Sequence, residues 1–179
     1  MRIAVVGTTG SGKTTLASRL ADAMNAPLIE LDSLNWQGDW RGLHERDPDA
    51  FVTRVCDAAA AEAWVCDGNY RQVRDAVLRR ATHLIWLDYP KAVVIRRVIG
   101  RSLARSLFRR KLWAGNRERW RGWIEPGHPV RWAWATWERN RSTYENLIVS
   151  EATAHLIIVR LTHPREARGL PKRLGLGSD

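Results

Sequence analysis

The chain has 179 residues, enough for one well-buried domain and short for two. A hydrophobic fraction of 45% is ordinary for a globular protein, and no apolar run approaches the ~18 residues of a membrane span. Cys56 and Cys66 have no partner motif, which excludes a disulfide framework and a zinc site and leaves both as buried small hydrophobes. The five-residue apolar stretch near the start is too short for a secretory segment, so the expected location is cytoplasmic. The net charge of +10 is unevenly spread: residues 91–141 hold 14 Lys and Arg against 3 Asp and Glu, and the remainder holds 15 against 16. Twelve of those 14 are Arg, whose planar fork suits bidentate phosphate contacts. A phosphate-handling segment is the reading preferred over a solvated basic face or a nucleic-acid patch.

Taken in order, the elements alternate between strand and helix. Residues 2–6 (RIAVV) read as a short buried strand and Gly7 to Gly12 as a loop. Leu16, Leu20 and Met24 give residues 13–24 a helical period. Pro27–Leu31 reads as a second strand, and 33–46, with no clean period and two tryptophans, as a loop. Asp47-Pro48 is an N-cap followed by proline at the first helical position, opening a helix to about Glu62. Strands follow at 63–66, ending at Asp67-Gly68, and at 84–87, ending at Asp88. Pro90 opens a long helix to about Arg110, the Gly- and Pro-rich residues 111–129 read as irregular, and a helix spans 130–149. A last strand at 155–160 and one short helix complete the chain. This order predicts a three-layer α/β/α fold on a five-stranded parallel sheet. Gly7, Asp32, Asp67, Asp88 and Thr162 each follow a strand, so the chemistry should gather at the carboxyl edge of that sheet.

Gly7-Thr8-Thr9-Gly10-Ser11-Gly12-Lys13-Thr14 fits the P-loop pattern G-x-x-x-x-G-K-[ST] in full, between a strand and a helix. Glycines admit positive φ, so successive amides can turn inward around a phosphate at a helix N-terminus. Lys13 supplies a point charge for the β- and γ-phosphates, and the Thr14 hydroxyl a ligand for Mg²⁺. Neither Asp67 nor Asp88 is followed by an acid, so the water-activating glutamate of P-loop motors is missing from its expected place. No Asn-Lys-x-Asp is present, which argues against a guanine switch. A kinase needs neither, because its acceptor brings its own nucleophile.

Asp67-Gly68-Asn69-Tyr70-Arg71 and Arg97-Val98-Ile99-Gly100-Arg101 resemble segments of the adenylate kinase superfamily. More closely, Leu31 to Trp36 with Trp40, Trp64 to Tyr70, Ile85 to Pro90, Asn116-x-Glu118 and the Arg131 to Arg141 region resemble the bacterial "topology modulation" (FlaR-type) P-loop proteins. The resemblance covers about residues 1–150. It implies ATP and Mg²⁺ as cofactors, bound by the P-loop through Thr15. It implies that Asp67 holds a water on Mg²⁺, that Arg97 and Arg101 close over ATP, and that His163 and Pro164 lie against adenine. Arg71 would meet the phosphate of a nucleotide acceptor, with Asn69 beside it, and Arg139 or Arg141 would supply a second lid-side contact. Asp32 sits where related small-molecule kinases keep an acceptor-binding or base carboxylate, which favours a hydroxyl acceptor. Seven of the ten tryptophans lie at 36, 40, 113, 120, 123, 132 and 134, within or beside the expected mobile regions; Trp36 is the best candidate for stacking on an acceptor, and the rest of the seven read as packing for a thin lid.

The resulting expectation is one P-loop kinase domain. Its core comprises 1–32, 63–99 and 150–173, its substrate arm 33–62, and its Arg-rich lid about 100–130. The reaction would move the ATP γ-phosphoryl group to a nucleotide, nucleoside or small molecule. The alternatives are an ATP-binding protein associated with DNA or RNA, and a nucleotide-dependent regulator. No membrane partner is expected.

Overall fold

The structure is a computed structural model that describes residues 1–38, 41–108 and 129–176, with side chains 105–108 not described. Five parallel strands form one sheet: β1 (Arg2–Gly7), β2 (Leu28–Glu30), β3 (Trp64–Asp67), β4 (His83–Leu87) and β5 (Ile157–Leu161), in the order β2-β3-β1-β4-β5. Around it run α1 (Lys13–Met24), α2 (Leu31–Asn35), α3 (Leu43–Arg46), α4 (Pro48–Ala58), α5 (Arg71–Arg80), α6 (Lys91–Phe108), α7 (Pro129–Ile148) and α8 (Pro164–Arg173).

Strand side chains alternate between the two faces, and both faces are covered, which is why these strands read as continuous apolar runs. Ala4 and Val6 of β1, with Leu84 and Trp86 of β4, pack against Phe51, Val55, Val73 and Tyr144. Ile3, Val5, Ile85 and Leu87 pack on the other face against Leu16, Leu20, Val94 and Leu170. The strand edges are managed differently. β2 has three residues, whereas β5 leaves Ile157 58% exposed.

Helix starts follow their caps. Asp47 accepts a hydrogen bond from the Ala50 amide at 3.0 Å, with Pro48 beginning α4. His163 Nδ1 accepts from the Arg165 amide at 3.1 Å, with Pro164 beginning α8.

Several expectations are corrected. The second strand stops at Glu30, and Leu31 begins α2; the presumed loop 33–46 contains α2 and α3, joined across a bridge between Trp36 and Gly42. The helix from Pro48 ends at Ala58 rather than near Glu62. Between Asp67 and β4 runs α5, an element the apolar pattern did not announce. Cys66 is buried, whereas Cys56 is exposed. Among the described residues no helix is long and apolar enough to cross a membrane, and no group of three or more His, Cys, Asp or Glu is placed to hold a metal. Most of the expected lid, with Arg109, Arg110, Trp113, Asn116, Glu118, Trp120 and Trp123, lies outside the described residues, as does Trp40 of the expected substrate arm.

Candidate active site

The sheet register builds the site. β1 pairs with β3 so that Val5 stands opposite Asp67, which lets Asp67 project at the carboxyl edge beside the loop that β1 feeds. The loop needs its glycines. Gly10 has φ +86, and a side chain there would overlap Val98; Gly12 has φ +98 and caps α1. Asn69 ties the loop's start to the turn after β3, its carboxamide donating to the Gly7 carbonyl at 2.5 Å and accepting from the Gly7 amide at 3.4 Å.

Lys13 and Thr14 open α1 facing Asp67. The Thr14 hydroxyl donates to Asp67 Oδ2 at 2.5 Å, and Lys13 Nζ reaches the Thr8 carbonyl at 3.5 Å. Burial pushes the Lys13 ammonium below the ordinary lysine range, against the attraction of Asp67 and Asp32. Burial likewise pushes the Asp67 carboxyl up, partly offset by Lys13 and the Thr14 bond. Cys66, next to it, is raised to about 12 by burial and by that carboxylate, so it stays a thiol.

The remaining P-loop positions differ in exposure: Ser11 is fully buried, Thr8 nearly so, Thr9 half-buried and Thr15 exposed. Two buried oxygens, Ser11 Oγ and Asp67 Oδ1, have no hydrogen-bond partner among the described residues. Buried oxygens in that condition are costly unless a ligand completes them. Asp67 Oδ1 and the Thr14 hydroxyl form a hard-oxygen pair that fits a water-bearing Mg²⁺.

α6 crosses this loop. Arg97 Nη1 donates to the Ser11 carbonyl at 2.8 Å, and its guanidinium lies 5.6 Å from the Tyr89 ring centre. Arg101, one turn on, is near enough to Lys13 to disfavour the ammonium. The row continues to Arg105 and Arg109, but the Arg105 side chain and Arg109 lie outside the described residues. His163 and Pro164 follow β5, and there the imidazole serves as the cap of α8.

The Arg139 and Arg141 candidates part company. Arg141 Nε pairs with Asp88 at 3.1 Å and with Glu145 at 3.4 Å, while Arg139 lies 6.0 Å from the Trp132 ring centre. Arg160 of β5 pairs with the same Asp88, donating from Nε at 3.0 Å and stacking on Trp86 at 4.5 Å. Asp88 is thus held by two arginines.

At the other end of the sheet edge, Asp32 accepts a 2.6 Å hydrogen bond from the Tyr70 hydroxyl. Trp36, half-buried, meets the His44 ring edge-on at 6.1 Å, and His44, Phe51 and Tyr70 stack edge-to-face beyond it. Arg71, the first residue of α5, is exposed beside this cluster. Sequence reasoning missed Tyr70, Asn35 and His44 as site residues. Their only signal was the position of Tyr70 directly after Asp67-Gly68-Asn69.

These features define a P-loop α/β/α fold on a five-stranded parallel sheet. A family model described as "ATPase family associated with various cellular activities (AAA)" matches residues 3–88. No curated protein matches the chain in sequence. Among solved structures, shikimate kinase from Acinetobacter baumannii in complex with shikimate shares 16% identity and a TM-score of 0.57, over 97% of this chain and 89% of that one. Shikimate kinase from Aquifex aeolicus shares 16% identity and a TM-score of 0.56, over 98% and 95%. A gluconokinase from Sinorhizobium meliloti shares 19% identity and a TM-score of 0.53, over 99% and 97%. At these identities the likeness is one of fold.

Proposed function

We propose that this protein is a P-loop kinase, moving the γ-phosphoryl group of Mg-ATP to a nucleotide, nucleoside or small-molecule acceptor. The observation that carries this reading is the convergence of Lys13, Thr14, Asp67 and Arg97 on one glycine loop.

The loop amides and the α1 N-terminus would cradle the phosphates, whose charge would favour the Lys13 ammonium against the effect of burial. Arg97 and Arg101, carried on α6, would neutralise charge on the transferring group. Mg²⁺ accompanying ATP, held by Thr14 and through water by Asp67, would supply Lewis-acid charge stabilisation. Arg97 already touches the loop backbone at the Ser11 carbonyl, which supports its place beside the phosphates. Residues 33–62 would form the acceptor arm, with Asp32, Trp36, Asn69 and Arg71 facing the acceptor, and His163-Pro164 would border the adenine. A lid over about 100–130 would exclude water during transfer.

Calorimetric titration with Mg-ATP is expected to give a single site that Lys13→Ala abolishes. Labelled γ-phosphate should then appear on a member of a panel of nucleotides, nucleosides and small polar metabolites. Binding with no transfer to any of them would reject the kinase in favour of the regulator.

A further inference from the structure

The glycine loop is held at both ends by a single turn, Asp67 to Tyr70. β1 pairs with β3 only as far as Val5 opposite Asp67, while on its other side it stays paired with β4 up to Gly7 opposite Leu87. The β1–β3 register, continued by two residues, would set Asn69 opposite Gly7. The backbone does not make that rung. β3 ends at Asp67, and Gly68 turns the chain away at φ +147, where a side chain would fall 2.7 Å from Leu31 Cβ. The Asn69 side chain makes it instead: Nδ2 donates to the Gly7 carbonyl at 2.5 Å, and the Gly7 amide points to Oδ1 at 3.4 Å. A carboxamide presents an N–H and a C=O as a peptide does, so it can stand in for the missing strand residue.

The same turn makes two further contacts. Asp67 accepts from the Thr14 hydroxyl at 2.5 Å, at the far end of the loop. Tyr70 donates to Asp32 at 2.6 Å and accepts from the buried Asn35 at 3.1 Å, on the side of the arm. The first and last residues of the P-loop are therefore gripped by side chains two positions apart on one short segment. A loop that must turn its amides inward binds phosphate more tightly when its ends are fixed beforehand, because less ordering is left to the binding step.

Resting on the kinase reading above, we infer that Asn69 is a positioning residue for the nucleotide phosphates, fixing the entry of the P-loop at Gly7 as Asp67 fixes its exit at Thr14. The effect is transmitted by the loop backbone, so it falls on the phosphates and not on the base. One N–H and one lone pair of the carboxamide remain after these two bonds, so the role does not compete with contact to an acceptor.

The full-length protein is titrated calorimetrically with Mg-ATP and with Mg-tripolyphosphate, which offers the phosphates without a nucleoside. Asn69→Ala should weaken both by the same factor, about three- to tenfold for one lost hydrogen bond, with the stoichiometry unchanged. Asn69→Leu, close to asparagine in shape but without polar atoms, should match it and keeps the test decisive if the alanine variant folds poorly. Before any ligand is added, the Gly7 and Thr8 amide resonances should shift in both variants, because the peptide between them loses its partner. Unchanged affinity for Mg-ATP, or unmoved resonances, overturns the inference and leaves the kinase reading standing. A loss with ATP but not with tripolyphosphate overturns it too, by placing Asn69 on the nucleoside. A fall in stoichiometry at constant affinity does the same, by making Asn69 a support of the fold alone. A wild-type protein that binds no Mg-ATP overturns both readings together.

Discussion

Asp67 is asked to stay charged for Mg²⁺ in a place where burial favours the proton. Its folded-state value is raised above the ordinary 3.8, chiefly by burial, so the fold holds this proton more tightly than the unfolded chain does. The stability attached to the protonated form is complete below that ordinary value and is lost as pH rises through the raised one. At neutral pH the ligand-free protein therefore carries a buried carboxylate at a cost, which Asp67→Asn removes. The variant should melt above wild type at pH 7.5, with the difference closing as pH falls through the raised value and gone below about 4, as thermal unfolding without nucleotide would reveal. A variant that melts lower at pH 7.5 would mean that the attraction of Lys13 outweighs burial. Gain of stability with loss of activity is the usual pattern at a site built for a ligand.

At the scale of elements, α6 is docked on the P-loop by the Arg97 hydrogen bond to the Ser11 carbonyl and by Val98 packed against Gly10. Gly10→Ala should cost about 2 kcal/mol from the left-handed backbone alone, with the overlap added to it. Val98→Ala should cost about 2 kcal/mol from lost burial. Because the second change makes room for the first, the double variant should lose less than the two singles together, as urea unfolding can measure. Additive losses would mean that α6 moves aside freely.

The same scale explains what the residues disclosed. The strands were legible because both faces are buried, leaving runs such as LIWL without polar interruption. α1 and α4 were legible from period and cap. By contrast, α5 buries only Val73, Val77 and Leu78 among mostly charged neighbours, too few for a period to stand out. α2 and α3 have five and four residues, shorter than any window in which periodicity shows. The P-loop and Asp67 belong to a local pattern and were read from it. The Tyr70–Asp32 bond spans 38 residues, and pairing at that distance leaves no mark on local order.

For the whole molecule, the decisive asymmetry is the +11 segment at 91–141. Part of that charge is answered within the fold, where Arg141 pairs with Asp88 at 3.1 Å and with Glu145 at 3.4 Å. A protein that used this segment on a nucleic-acid backbone would bind duplex DNA with an affinity falling steeply between 50 and 200 mM salt. The kinase reading expects no retention of duplex DNA on filters at about 0.15 M salt, with Mg-ATP still bound. Retention there, lost on neutralising Arg105, Arg109 and Arg110, would favour the nucleic-acid reading.

The open edge of β5 carries a hazard that none of this chemistry touches. Its sequence, IIVRL, is a run of branched and long aliphatic residues whose single charge is Arg160. An exposed strand of this composition is a template on which a second chain can add, and from there a fibril can grow. Arg160, anchored outward by Asp88 and stacked on Trp86, serves as a gatekeeper against that growth. During mild heating Arg160→Ala should shorten the lag before amyloid-dye fluorescence appears. Glu145→Gln, which loosens the same ion cluster but keeps the charge in the strand, should leave that lag nearly unchanged. Equal lags in both variants would assign the protection to stability alone. If the lags separate, one side chain keeps the folded protein from becoming a seed.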